Sequence, residues 1–326
     1  MVKRSELINK ENHMKSLSNT IKKTIFLLPL LAVSLISSSC STHYSDYAHK
    51  DVVAKLLLEK SFQVTAGGKL GVEVVAADVE VTTWNQNEVS VKIYGDEDAL
   101  EKVDIAVEQS GNTVSVNIEK KSFLKGLSNL DLRVEVKTPA NFSAEVQTSG
   151  GFIKLKDING SLALKTSGGN IGVAGSSGSL NAKTSGGDVK LNKFRGSAKL
   201  HTSGGNVQVK DVEGSVDAGT SGGDVEVESN SGAITAKTSG GSIRLKYTGE
   251  NQGIECSTSG GDIDVLVPEN FKADVVLKTS GGSVSCELPA SNVKTGNSSF
   301  TGSVNGGGVP LVCKTSGGSI SLSKLK

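Results

Sequence analysis

KTSGGDVKLNKFRGSAKLHTSGGN, Lys183 to Asn206, carries the word Thr-Ser-Gly-Gly twice, first at Thr184 and again at Thr202. The word begins at nine places: Thr148, Thr166, Thr184, Thr202, Thr220, Thr238, Thr258, Thr279 and Thr315. The first six copies keep an even step of 18, and the later steps are 20, 21 and 36. The last gap is expected to hide a degenerate coil. A fixed period of about 20 residues signals a solenoid, in which each coil packs on its neighbours and cannot fold alone.

The columns around each Thr say which solenoid. Four residues before it stand Ala144, Leu162, Leu180, Ala198, Val216, Ile234, Ile254, Val275 and Leu311. The columns two before, five after and seven after are apolar or cysteine as well, from Val146, Ile153 and Leu155 to Cys313, Ile320 and Leu322. A spacing of two within each half is the strand period, with alternate side chains on one face. The parity shifts across Ser-Gly-Gly, which therefore turns a corner between strands, and glycine is expected there for positive φ. Gly160, Gly178, Gly196, Gly214 and Gly232 mark a second corner. The expected fold is all-β: one two-sheet parallel β-roll of 18-residue coils, stacked at about 4.8 Å per coil. Thr faces the core edge, its hydroxyl bonded to corner backbone or to the Thr one coil away. A hexapeptide helix fails because that path meets Gly168 and Asn170. Calcium-binding nonapeptide rolls fail because the second corner lacks their aspartate.

Composition agrees with a thin core: 39 Gly against 8 Phe, 4 Tyr and 1 Trp in 326 residues. A net charge of +1 gives no global field toward nucleic acid or an anionic membrane.

Residues 1–40 read as an export leader rather than as fold. Lys22 and Lys23 precede the apolar run Thr24 to Ile36, and Ser37, Ser38, Ser39 and Cys40 follow. ISSSC resembles a bacterial lipobox, which makes Cys40 the expected lipidation site, although Ser37 stands where Leu is usual. Met14 is an alternative start to Met1. Residues 41–60 read as a polar tether with a short helix over DVVAKLLLEK. Residues 62–142 read as looser coils, with one or two helical turns on a loop at Asp96 to Val103, and 143–326 as the regular repeat.

VKTPANFSAEVQTSGG, the serial TSGGDVKL-type words, SVNGGGVPLVCKTSGGSISL and the earlier WNQNEVSVKIYG together resemble the bacterial "putative adhesin" family of unknown function. The resemblance covers Phe62 to Lys326. It implies a β-solenoid on an exported protein and supplies no catalytic residues.

Few residues offer chemistry. His201 is the one histidine in the repeats, so a Ser-His-Asp triad would need it, but its place before Thr202 faces solvent. No nucleophile elbow, phosphate loop or zinc spacing occurs. Cys256, Cys286 and Cys313 occupy core columns as small hydrophobes. Sequential stacking puts Cys256 and Cys313 about three coils and roughly 14 Å apart, beyond disulfide reach. Asn170, Asp188, Asn206, Asp224 and Asp262 follow the glycine pair. They could line up for calcium, but turn chemistry is favoured, since Ser242, Ser283 and Ser319 share the column. The column before Thr holds Lys165, Lys183, His201, Lys237, Lys278 and Lys314. Either it keeps the sheet soluble, or it meets an anionic polymer.

The expected protein is therefore non-enzymatic, without metal, cofactor or nucleic acid, and anchored in the bacterial envelope through Cys40. Its expected role is adhesin-like or structural, on an envelope polymer or protein. A sensing component that binds a protein through a sheet face is the alternative, and a polysaccharide-acting enzyme is the least favoured.

Overall fold

The computed structural model describes residues 55–96, 98–121 and 131–325. The leader, Cys40 and the first part of the expected tether lie outside the described residues. Each regular coil runs as a strand before the word and a strand after it. Asn159–Lys165, Ser177–Lys183 and the second half of Val189–His201 pair in parallel, and Leu162, Leu180 and Ala198 share one register position. On the other face Ile153, Ile171, Val189 and Val207 do the same. All but two of the 36 apolar positions are buried. The exceptions, Val284 and Cys286, lie on a strand that, among the described residues, ends its sheet and pairs only with Ile320–Lys324.

The two glycine corners differ from expectation. No glycine of the Ser-Gly-Gly corners has a positive φ among the described residues. The second glycine of the word answers a different need. A Cβ on Gly169, Gly187 or Gly205 would collide with the carbonyl of the equivalent glycine one coil back. Coils stack so closely here that only hydrogen fits. At the other corner Gly178, Gly196 and Gly214 do sit at φ 115°, 129° and 133°. This corner also buries a column that the pattern around Thr leaves out: Ile158, Ser176, Phe194, Val212 and, further on, Ser229 and Tyr247. Phe194 lies at 1% exposure inside the 13-residue strand Val189–His201, which runs through the corner and belongs to both faces. Ser176 interrupts the apolar residues, and its hydroxyl is satisfied by the Ala174 carbonyl and the Ile158 N–H.

The ends depart most from sequential stacking. The long gap before the last word holds no degenerate coil. Ala290–Gly296 and Ser299–Val304 form an antiparallel hairpin whose second strand pairs with Ala273–Lys278. The chain then returns, and Pro310–Lys314 enters between Ile254–Ser257 and Ala273–Lys278, parallel to both. The last coil in sequence is thus the next to last in space. The other end mirrors it. Gly68–Val74 lies between Thr113–Lys120 and Phe142–Thr148, so the first coil in sequence is the second in space. Antiparallel strands close that end: Val103–Ser110 on one face, and Glu88–Gly95 with Lys55–Gln63 on the other. Residues 55–60, expected in the tether and its helix, are therefore strand. The loop Asp96 to Val103 does carry one short helix, Ala99–Lys102.

Candidate functional site

The outward ridge before each word is positioned by the corner beside it. Each Thr is buried, and all but Thr148, which donates only to the Ala77 carbonyl, bond twice. Thr202 Oγ1 donates to the Gly187 carbonyl of the previous coil at 2.7 Å and accepts the N–H of Gly205 in its own corner. Thr166, Thr184, Thr238 and Thr258 repeat both bonds. Of the two expected partners, the hydroxyl uses corner backbone. With Thr fixed inward, the residue before it must point outward.

Outside the corner runs a second ladder. Asn170 Oδ1 accepts the Asp188 N–H, Asp188 the Asn206 N–H, Asn206 the Asp224 N–H and Asp224 the Ser242 N–H, each at 2.8 Å. The ladder continues from Ser242 to Asp262, then to Ser319 and finally to Ser283. These side chains spend an acceptor oxygen on the next coil's backbone, as turn residues do. Among the described residues no three His, Cys, Asp or Glu side chains are placed to hold a metal ion. The ladder's last steps also record the inserted coil, since Ser319 precedes Ser283 in space.

The ridge itself reads, along the stack, Gln147, Lys165, Lys183, His201, Gly219, Lys237, Ser257, Lys314 and Lys278. All five lysines and His201 are exposed. Lys165 faces Lys183 one coil on, and Lys314 faces Lys278, both at the inter-strand distance of about 4.8 Å. Neither pair has an acidic partner among the described residues. Lys237 differs: its Nζ lies 2.9 Å from Glu255 Oε1, which neutralises it. The expected ridge of five is therefore two cationic pairs, Lys165–Lys183, with His201 beside it, and Lys314–Lys278. About four coil steps, roughly 19 Å, separate His201 from Lys314.

His201 is exposed, and the Nδ1 of its ring lies toward Gly219. No triad surrounds it among the described residues. The cysteines need a correction. Cys256 and Cys313, expected to lie coils apart and out of reach, are register partners on adjacent strands. The reason is that the last coil is inserted between the coils of Cys256 and Cys286. Both are free thiols at 0% exposure. Sequence reasoning missed this contact, and its one available signal was the irregular gap before the last word. One open concavity lies among Gln63, Val64, Thr65, Gly111 and Asn112, and a second is lined in part by Glu255 and Lys314.

A solenoid of stacked, glycine-cornered coils with a surface ridge defines a class of repeat protein. The chain belongs to the Toastrack DUF4097 family, whose pattern it matches over residues 68–323. No curated protein matches it. Among solved structures it is similar to a "putative adhesin" of Bacteroides fragilis at 16% identity and TM-score 0.38, covering 82% of this chain and 97% of that one. A "putative adhesin" of Parabacteroides merdae shares 15% identity at TM-score 0.35, covering 83% and 97%. A "putative lipid binding protein" of Parabacteroides distasonis shares 16% at TM-score 0.33, covering 82% and 96%. Likeness this distant carries nothing over to the chain.

Proposed function

We propose that the chain is an exported bacterial envelope protein, anchored by lipid on Cys40, whose outer surface does adhesin-like or structural work without catalysis. The ridge is its contact for an anionic envelope polymer. One observation carries this: two clusters of like charge are held in register, apart from any described acidic partner, by a corner that forces them outward. Like charges carried on strands about 4.8 Å apart repel by about 1 kcal/mol or less in water. A polymer bearing anions along its length relieves the repulsion at both clusters at once. Binding is then weak at each cluster, multivalent overall and strongly dependent on salt.

The test replaces Lys165, Lys183, Lys237, Lys278 and Lys314 with Gln together and measures retention on a polyphosphate resin at low salt. The fold survives, because all five are exposed, and retention drops. Equal retention would leave the ridge as solvated surface and sink the binding role. Anchoring is tested separately. Cys40→Ser should move the chain out of the membrane fraction, since stable anchoring needs more than one acyl chain. An unchanged membrane fraction would overturn the lipid anchor.

A further inference from the structure

We infer that Cys256 and Cys313 form a disulfide that locks the inserted last coil into the stack. The two residues are register partners on parallel strands, so both side chains project to the same side, into the core. Neighbouring strands hold Cα atoms about 4.8 Å apart, inside the disulfide window of about 4.4–6.8 Å. Both thiols are buried at 0% exposure, each facing the other across that register pair. Elsewhere this column holds Val146, Leu164, Ala182, Leu200, Ala218, Ala236 and Leu277. Cysteine enters it only at the junction where two coils distant in sequence become neighbours. A bond there closes the loop from Cys256 to Cys313 around the hairpin, and ties the returning strand covalently to its neighbour.

The oxidant is a disulfide, either small, such as oxidised glutathione, or carried by a dithiol oxidase. One cysteine thiolate attacks it, forms a mixed disulfide and releases one oxidant thiol. The second cysteine attacks the protein sulfur of that mixed disulfide, and the second oxidant thiol leaves. The two cysteines lose two electrons and two protons, and the oxidant's disulfide gains them. Exchange must precede closure of the coil, because both residues are fully buried afterwards. The neighbouring Cys256 thiol and then burial push the Cys313 thiol well up, which removes the reactive thiolate once the coil is in place.

The experiment refolds the full chain from denaturant in a glutathione redox buffer. Free thiols are alkylated in denaturant without reductant, the rest are reduced and tagged, and the peptides are mapped. Cys256 and Cys313 should be found joined, with Cys286 alkylated at the first step. Both carrying the first label, or either joined to Cys286, would overturn the inference. In a second measurement, reductant should lower the Tm of the oxidised chain by on the order of 5–10 °C. It should leave Cys256→Ala unmoved, a substitution that copies Ala236 in the same column. An equal response of both proteins would also overturn it. Where the bond forms in the cell rests on the export proposed above. A chain that bonds on refolding but is isolated reduced from its own cells sinks the export reading, whereas failure on refolding sinks the bond.

Discussion

The middle of this solenoid and its two ends share the same columns but are assembled by different rules. From Asn159 to Ser257 each coil lies beside its neighbours in sequence. At each end the outermost coil in sequence is clamped between two others, and antiparallel strands finish the edge except on the face where Val284–Cys286 ends the sheet. A repeat that only stacked would leave two open edges of unpaired N–H and C=O groups. It would also fray from those edges, since a terminal coil has one neighbour. Inserting that coil gives it two. Periodicity therefore lengthens the stack, and departures from periodicity close it.

The largest effect that would break this contrast is a buried charge. Val225→Asp in the middle should cost on the order of 4 kcal/mol or more, because a 0% exposed carboxylate between sheets has no partner. Val284→Asp should cost about 1 kcal/mol, since its half-exposed edge strand lets the charge reach water. Equal losses by urea unfolding would mean the edge is closed as tightly as the middle.

Next come the stacking glycines. Gly187→Ala should cost roughly 3 kcal/mol, because its Cβ runs into the Gly169 backbone. Gly186→Ala meets its nearest atom, the Gly168 carbonyl oxygen, at 3.5 Å and should cost under about 1 kcal/mol. If the two melt alike, close approach is not what the second glycine serves.

Thr202→Val and Thr279→Val should each lose about 1–3 kcal/mol, for both residues are buried and bonded to a neighbouring coil's carbonyl and to their own corner. This is the one respect in which middle and end should match. A much smaller loss at Thr279 would show that the end corner is looser than its hydrogen bonds suggest.

Tyr247 gives a pH test in the middle of the stack. Its hydroxyl lies 2.7 Å from the Glu250 carbonyl, and burial first, then the Glu250 charge, raises its pKa. The fold favours the neutral phenol. That contribution is complete below the unfolded value of about 10 and is lost as pH rises through the raised folded value. Tm should therefore fall from pH 9 to pH 11 less steeply in Tyr247→Phe than in the parent. Identical slopes would place the alkaline sensitivity elsewhere.

The smallest expected effect concerns the ridge. Lys237→Gln alone should leave polyphosphate retention nearly unchanged, because Glu255 already neutralises it. Changing Lys314 and Lys278 together should lower retention measurably. The reverse ranking would mean the ion pair opens when polymer binds.

Much of the regular coil was readable from residues alone. The strand parity, the corners and the inward Thr follow from a spacing of two interrupted at glycine, and the structure repeats them with hydrogen bonds at each word. What the glycines do was not readable. Gly187 and Gly196 are the same letter, yet one avoids a carbonyl and the other adopts φ 129°. The corner column was missed because Ser176 breaks its apolar run. The cationic ridge was visible as a column, but its division into two clusters depends on Glu255, which is outward on the next coil.

By itself the sequence determined most of the coil: the four columns around Thr that enter the core, where the chain turns, and which column faces out. These are local matters, decided by alternation and by residues that suit a corner. Only the tertiary structure decided the order of the coils at the ends, and with it that Cys256 meets Cys313 and Lys314 meets Lys278. The physical reason is degeneracy. Every coil presents nearly the same apolar columns and the same ladder of backbone groups, so one coil can stack on almost any other. What selects the neighbour is the path of the connecting chain, here an antiparallel hairpin that carries the last strand back into a gap one coil from the end.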